Sequence, residues 1–548
     1  MKNLMKFMML PALLLAASAC SSNDDPVVDN GTTSEGDVYM TFTLVNTSDG
    51  ASRSGTDSTD NDDYGSSTDG VEIGTDAENT ITSVQIFLVQ DNVAFATSTG
   101  INFSSSTDKQ SYSATFKNSD LQGKAGQTVD VMVYCNFAVS TTTETNNGVT
   151  TVTGYDVNQV NEGQSWGSTN ISEATAGKFQ MSNATTAYSS TLPSDLTKYM
   201  TSSNPWDLGT IKVERAAARI DIKQYNDKNE YALSDVDNGT VTITLQKFAL
   251  INMNPKWYAF RRVSSEVPAT TSSTTICGVE TTNNWVVDWD WTAKAAWAAD
   301  PTQTLPTFVY PLATPSTWVW TAFSELTRDD NNSTWNEENS KGDYKVWRYL
   351  NENTIPGIDA QKQAISTGVV FKGQLTATNE DISTAMAAGK TLYVFQNKLY
   401  GAWENVVACA ENNAALQVAV DNSCTKEVDD VTQEVTYTVN NEKAAEYGFT
   451  GYSPDTDGNY YVYYYYWNRH NDNGKAAEMG TMEFAVVRNN VYKLCVTAIN
   501  KYGHPTPGTD DPDPDPEDPD DPDEDSEVYF QVSLKVMPWV VRINNIDF

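Results

Sequence analysis

Two residues near the start of this chain, Cys20 and Arg53, lie in sequence contexts where a cysteine can be acylated and a chain can be cut by a protease. Cys20 follows Ala17-Ser-Ala and an apolar run that begins at Met8, with Lys2 and Lys6 in front. This pattern predicts a lipoprotein signal peptide over residues 1–19, with the Cys20 thiol as the acylated first residue of the mature chain. The alternative is a plain secretory signal followed by an unrelated cysteine.

The second residue is Arg53, the only basic residue between Lys6 and Lys109. It lies in the small-residue segment Asp49-Gly-Ala-Ser-Arg-Ser-Gly55, and exposed loops of this kind are where proteases cut. The segment therefore predicts cleavage between Arg53 and Ser54 by an Arg-specific or trypsin-like protease. A lone surface arginine in a loop is the alternative.

Residues for catalysis or metal binding are scarce. The chain has two histidines, His470 and His504, and lacks a Gly-rich phosphate loop, a G-x-S-x-G elbow and an H-E-x-x-H motif. A net charge of -37 without a basic stripe argues against binding to nucleic acid. We therefore expect no enzyme, no catalytic residue, no cofactor and no metal site.

The segment between Cys20 and Arg53 contains one clear strand pattern. In Val38–Val45, Met40, Phe42 and Leu44 alternate with Tyr39 and two threonines, which predicts a β-strand with one apolar face. Cleavage at Arg53 would release this strand together with the rest of residues 20–53, which we assign as a propeptide.

The C-terminal residues 528–548 carry a second strand pattern. Its apolar face consists of Val528, Phe530, Val532, Leu534 and Val536, and a short apolar run with Trp539, Val541 and Ile543 follows. In front of them, residues 509–527 are almost entirely Asp, Glu and Pro, which predicts a solvated, self-repelling spacer. Such a tethered strand either serves another molecule or returns to a sheet of its own chain.

Short strand patterns separated by Asn, Gly and Asp turns recur through the rest of the sequence. They predict a mainly β protein with two tandem antiparallel β-sandwich domains, at residues 54–208 and 209–508, and a few short helices. One such helix is expected at Asp381–Gly389. The tryptophan-rich residues 285–347 show no clear period and receive no assignment.

Cysteine and aromatic residues add further expectations. Cys135 and Cys495 lie in apolar strand patterns and should be buried thiols, whereas Cys409 and Cys424 could pair. The aromatic block 459–467 could stack against sugars or pack a sheet on both faces, and we favour packing.

Several stretches resemble the fimbrillins of Bacteroidales, the subunits of type V pili, and most of all the shaft subunits of short fimbriae. They are Tyr463-Tyr-Tyr-Tyr-Trp-Asn-Arg-His-Asn-Asp-Asn473, residues 482–494, Pro538-Trp-Val-Val-Arg542 and Val213-Glu-Arg-Ala-Ala-Ala-Arg-Ile-Asp221. The resemblance implies two transthyretin-like sandwiches, lipoprotein export to the outer membrane, and removal of the first strand and its lipid by an Arg-specific protease. It also implies that the C-terminal strand is donated to the next subunit.

The function implied by this resemblance is a structural subunit of a cell-surface fimbria that supports adhesion and virulence. Its partners would be identical or related pilin subunits, the protease, and the outer membrane before cleavage. The alternative is a surface glycan-binding lipoprotein of a polysaccharide-uptake system, in which the aromatic block would contact sugars.

Overall fold

The computed structural model describes residues 36–46, 72–105, 110–147, 149–162, 176–184, 188–233, 241–266, 269, 273–278, 284–327, 344–357, 365–433, 435–471, 480–508 and 530–540. Several predicted features lie outside these ranges. They are Cys20, Arg53, Ser54, the spacer 509–527, and Val528, Val541 and Ile543.

Thirteen strands precede Ala216 in the described residues. They are β1 (Asp37–Asn46), β2 (Glu72–Ile73), β3 (Val84–Gln90), β4 (Val93–Thr97), β5 (Gly100–Ser105), β6 (Gln110–Lys117), β7 (Thr128–Cys135), β8 (Thr142–Asn146), β9 (Val149–Thr153), β10 (Val160–Glu162), β11 (Met181–Asn183), β12 (Tyr188–Thr191) and β13 (Trp206–Arg215).

The described strands after Ala217 are β14 (Ala218–Lys223), β15 (Glu230–Ala232), β16 (Val241–Ile251), β17 (Lys256–Tyr258), β18 (Arg262–Ser264), β19 (Thr274–Ile276), β20 (Trp285–Val286), β21 (Thr321–Ala322), β22 (Lys345–Leu350), β23 (Gly368–Ala377), β24 (Leu392–Phe395), β25 (Lys398–Tyr400), β26 (Cys424–Val428), β27 (Val435–Val439), β28 (Phe449–Tyr452), β29 (Tyr460–Trp467), β30 (Asn490–Ile499) and β31 (Phe530–Val540). The helices are short: α1 (Asp76–Asn79), α2 (Asn118–Leu121), α3 (Trp291–Ala299), α4 (Glu380–Ala387), α5 (Trp403–Ala410), α6 (Ala414–Ser423) and α7 (Asn441–Glu446).

The N-terminal sandwich is built from one sheet in the order β4-β3-β7-β11-β13-β1-β6-β5, with β12 paired to β7. The sheet curls so that β4 approaches β6. Phe95 of β4 consequently shares one core with Tyr112 and Phe116 of β6. The two halves of this curled sheet form the two layers of the sandwich.

The chain passes from the first sandwich to the second at Ala216 and Ala217, because β13 and β14 belong to different sheets. The second sandwich consists of the sheets β2-β31-β30-β14-β22 and β15-β16-β23-β29, with β21 paired to β16. Ile220 and Leu494 of the first sheet share a core with Phe371 and Tyr464 of the second. The buried inner faces explain the apolar alternation of these strands.

The prediction of a mainly β protein with sandwich domains is confirmed. Most strand pairs are antiparallel, as expected, but β1–β13, β14–β30 and β2–β31 run parallel. Each of these pairs joins segments that are far apart in the sequence, and parallel neighbours require such long connections.

The tryptophan-rich segment, which the sequence left unassigned, covers the outer side of the sheet that contains β29. Trp297 of α3, Phe308 and Trp318 share an apolar cluster with Tyr465 and Trp467 of β29. The second sandwich thus has a third layer, and β29 is covered on both of its faces.

The chain between the neighbouring strands β23 and β29 forms a lobe that contains β24–β28 and α4–α7 and contributes Ile382 and Leu392 to the sandwich core. Its own core includes Tyr393, Trp403, Leu416 and Phe449. Helix α4 confirms the short helix expected at Asp381–Gly389. It begins at Asn379, whose side chain accepts hydrogen bonds from the backbone N–H groups of the first turn.

All cysteines within the described ranges are free thiols. Cys135 of β7 and Cys495 of β30 are buried, as predicted. Cys409 on α5 is exposed and Cys424 begins β26, and the two are not paired. Among the described helices, none combines the length and apolar character needed to cross a membrane.

Candidate functional site

The predicted N-terminal strand, β1, lies in the middle of the N-terminal sheet. It pairs with β6 in antiparallel fashion from Asp37 to Leu44, and with β13 in parallel fashion from Met40 to Asn46. A strand with partners on both sides has its backbone hydrogen-bonding groups satisfied within the sheet. The first strand is therefore a central part of this layer and not an appended edge.

The side chains of β1 alternate as the sequence predicted. Val38, Met40, Phe42 and Leu44 are at most 4% exposed. Phe42 also stacks on Tyr112 of β6, with ring centroids 5.1 Å apart. Tyr39 lies half-buried on the opposite face.

Loss of β1 would open a groove between β6 and β13. The groove walls would include Tyr112, Phe116, Ile211 and Val213, which belong to the same core as β1. Both flanking strands would then present unpaired backbone groups, which is the condition under which a sheet accepts an added strand.

The C-terminal strand, β31, pairs with β30 of its own chain. The antiparallel ladder runs from Ile499 opposite Phe530 to Asn490 opposite Pro538. On its other side β31 meets β2, with Glu72 opposite Trp539 and Ile73 opposite Val540. Within the described chain, Phe530, Val532, Leu534, Val536 and Trp539 thus lie on a strand that is held by its own C-terminal sandwich.

A buried cluster of charges joins α1 to the second sandwich. The guanidinium of Arg219 lies between Glu78, at 3.2 Å, and Asp221, at 2.7 Å, and all three side chains are buried. Lys493 of β30 lies 3.8 Å from the same Asp221. The hydroxyl of Tyr349 donates a hydrogen bond to Glu78. Each buried charge therefore has an opposite charge beside it, as burial requires.

A second buried cluster surrounds Glu214 at the end of β13. Arg261 pairs with Glu214, and Arg488 forks onto both oxygens of Glu352 at 3.2 and 3.1 Å. Burial raises the pKa of Glu214 to about 7, although the positive charges of Arg261 and Arg488 lower it in part. The carboxyl therefore changes its charge near neutral pH.

Neither cluster was predicted as such. The sequence signal that pointed toward them was Arg215-Ala-Ala-Ala-Arg219, a pair of arginines inside an otherwise apolar stretch. Their partners lie far away in sequence, so spacing alone could not identify Glu78, Glu352 or Lys493.

The aromatic block packs on both faces of β29, which confirms the packing interpretation. Tyr460, Tyr464 and Tyr466 enter the sandwich core, while Tyr463, Tyr465 and Trp467 lie under the third layer. Tyr461 stays half-buried, and Lys372 Nζ covers its ring at 3.6 Å from the centroid. Apart from the half-buried Tyr461, the rings of the block are buried, and buried rings offer no face for sugars to stack on.

The described residues contain no group of three or more His, Cys, Asp or Glu side chains arranged to hold a metal ion. Arg53, Ser54 and Cys20 lie outside the described ranges, so their roles remain predictions.

Residues 458–545 match the family model described as "Major fimbrial subunit protein type IV, Fimbrillin, C-terminal". Over these residues the chain is similar to the C-terminal region of fimbrillins. The matched region spans β29, β30 and β31, and so includes one strand from each facing sheet together with the tail. It covers the stretches 463–473, 482–494 and 538–542 that carried most of the sequence resemblance.

Solved fimbrial structures are similar to the chain over most of its length. A fimbrilin (FimA) from Porphyromonas gingivalis is 14% identical, with a TM-score of 0.35, over 92% of this chain and 98% of its own. The tip fimbrial protein Mfa3 from the same organism, with a C-terminal truncation, is 10% identical, with a TM-score of 0.32, over 92% of this chain and 100% of its own. Among curated proteins, none matches the sequence.

Proposed function

We propose that this chain is a structural, non-enzymatic subunit of a cell-surface fimbria, in the manner of a shaft subunit, and that it polymerises by strand exchange to support adhesion. The observation that carries the proposal is the position of β1. This strand is central in its sheet, its inward side chains are buried, and the predicted cleavage site follows it in the chain.

The precursor is held in the outer membrane by a lipid on Cys20 until an Arg-specific or trypsin-like protease cuts between Arg53 and Ser54. Cleavage removes residues 20–53 and with them β1. Four buried side chains at about 1.5–3 kcal/mol each make the contribution of β1 on the order of 10 kcal/mol before ordering costs. Because this burial is so favourable, β1 stays in the groove of the precursor. Once β1 has left, the groove can bind another strand strongly.

The donor is the tail 528–548 of a neighbouring copy. In its own sheet β31 has one long partner, β30, and a two-residue partner, β2. Between β6 and β13 of a second subunit it would have two long partners, as β1 has. The gain in ladder hydrogen bonds favours exchange, at about 0.5–1.5 kcal/mol for each bond.

The spacer 509–527 gives the tail its reach. An extended polyproline-like segment spans about 3.1 Å per residue, so Asp510–Glu527 can cross about 55 Å. Donation from each subunit to the next is head-to-tail and does not close on itself, which produces a filament.

Digestion of the purified chain with an Arg-specific protease tests the proposal. The wild type should form filaments in negative-stain images after cleavage, whereas Arg53→Ala should stay monomeric. Arg53→Lys is the matched control, because it keeps the charge and should be resistant to the Arg-specific enzyme yet sensitive to trypsin at this bond. Filaments of uncut Arg53→Ala at the wild-type rate would show that cleavage here is not the trigger.

A further inference from the structure

The segment 72–80, which follows the predicted cleavage loop, contacts both the tail strand and the junction between the sandwiches. At its start, β2 lies along the outer edge of β31 in parallel register. The sheet order β2-β31-β30 places the tail strand between two neighbours. β2 therefore covers the outer edge of the tail strand at Trp539 and Val540.

The residues after β2 form one compact turn. The backbone N–H of Thr75 donates to Glu78 Oε2 at 2.7 Å, and Asn79 Nδ2 donates to the carbonyl oxygen of Gly74 at 2.8 Å. The Glu78 side chain thus caps the first turn of α1. The position of Glu78 and the position of β2 are consequently linked through a short, hydrogen-bonded stretch.

Glu78 itself is completely buried. Arg219 Nη1 lies 3.2 Å from both of its carboxylate oxygens, and Tyr349 donates to Oε1. Arg215 Nε donates to the main-chain oxygen of Glu78 at 3.1 Å. Arg219 and Tyr349 belong to β14 and β22 of the sheet that holds the tail.

Opening of segment 72–80 would take the Glu78 carboxylate away from Arg219 and leave a buried guanidinium with fewer partners. Removal of one member of a buried ion pair is strongly unfavourable, because the remaining charge stays desolvated. The charge pair thus opposes any movement of the turn, and with it any movement of β2 away from β31.

We infer that residues 72–80 are a clamp on the tail strand, in which β2 holds the end of β31 at Trp539 and Val540 and Glu78 is the positioning residue that fixes β2. Its biological meaning rests on the proposed function: the clamp holds the tail in its own subunit and sets how readily it is donated. Segment 72–80 follows Arg53, so the clamp remains on the cleaved subunit.

Hydrogen exchange on the uncut full chain, read by mass spectrometry, tests the clamp without protease or polymerisation. In Glu78→Gln, amides of residues 530–540 should exchange at least about tenfold faster, while those of β16 and β23 should keep wild-type rates. Glu380→Gln, which changes an exposed glutamate in the first turn of α4, is the matched control and should change neither region.

Glu72→Pro and Ile73→Pro form the second arm, because each removes a backbone N–H of β2 without touching the buried charges. At least one should accelerate exchange of the tail while Asp76–Asn79 stays protected. Unchanged tail exchange in all three variants, or equal acceleration of tail and sandwich core, would overturn the clamp. Neither result would affect the proposed trigger at Arg53, which is tested separately by filament formation.

Discussion

Cys495 on β30 lies directly opposite Ser533 on the tail strand β31 in the antiparallel ladder. Cys495 is buried and is a free thiol. Directly opposite residues of antiparallel strands have Cβ atoms about 4.5–5.5 Å apart, close to the separation that a disulfide spans. The native chain therefore carries one half of a bond that could hold the tail in its own sheet.

The variant Ser533→Cys should form this disulfide under oxidising conditions. Because the linked tail cannot leave β30, the cleaved and oxidised subunit should remain monomeric, and addition of a reductant should restore filament growth. Negative-stain images and a ladder on a non-reducing gel are the measurements. The variant Cys495→Ala/Ser533→Cys, which cannot form the bond, should polymerise in both conditions; filaments from the fully oxidised single variant would contradict donation of the tail.

Phe42→Ala should destabilise the precursor by about 3–5 kcal/mol, because a fully buried aromatic side chain is lost from the centre of the core. Urea unfolding before and after cleavage is the measurement. After cleavage and removal of residues 20–53, the variant should match the wild type, since Phe42 leaves with β1. Thr43→Ala, on the half-buried face, should change the free energy of unfolding by less than about 0.5 kcal/mol and serves as control.

Ionisation of Glu214 should lower the free energy of unfolding of the wild type as the pH rises from mildly acidic to mildly alkaline values. Its pKa is raised from 4.5 to about 7 by burial, with Arg261 and Arg488 opposing in part. The folded chain therefore keeps a proton that the unfolded chain has lost, so this contribution is complete below the unfolded pKa and disappears as pH rises through the folded one. The expected change is on the order of 3 kcal/mol.

Glu214→Gln should lack this component, so its loss of stability between pH 5 and pH 8 should be smaller than that of the wild type. Urea denaturation at both pH values gives the difference. Glu442→Gln, an exposed residue of α7, should follow the wild-type profile. Identical profiles for wild type and Glu214→Gln would show that Glu214 ionises normally in the folded chain.

Shortening the spacer should prevent chain growth without unfolding the subunit. Deletion of residues 510–519 reduces the reach of an extended spacer from about 55 Å to about 25 Å. The cleaved variant should stay monomeric with a wild-type melting temperature. Replacement of the same residues by an equally long Gly/Ser segment should retain polymerisation, and filaments from the shortened variant at the wild-type rate would show that reach does not limit donation.

Sequence periodicity predicted the strands well where one face meets a core and the other does not. The alternation of Met40 and Phe42 with Tyr39 in β1, and the short helix begun by Asn379, both follow from local preferences. The tryptophan-rich segment could not be assigned from periodicity. Side chains such as Trp297 and Trp318 pack on the outer face of the sheet at positions set by that face, so their spacing in the sequence matches neither a helix nor a strand.

The pairings were harder to predict because strand partners are chosen by contacts across long stretches of chain. Nothing local in Val38–Val45 distinguishes a central strand from an edge strand. The burial of Glu78 depends on Arg219 and Tyr349, which lie far along the sequence. The sequence left open whether Cys409 and Cys424 pair, and the lobe places the Cys409 thiol in solvent and leaves both thiols free.

The sequence by itself determined the polarity pattern of each segment: an apolar-faced first strand, an acidic spacer, a tail strand and fimbrillin-like C-terminal stretches. Only the tertiary structure decided that β1 is central, that β31 lies beside β30 of the same chain, and that Glu78 pairs with Arg219 in the sheet that holds the tail. The physical reason is that periodicity depends on neighbouring side chains, whereas strand order and buried ion pairs depend on which distant segments exclude water together.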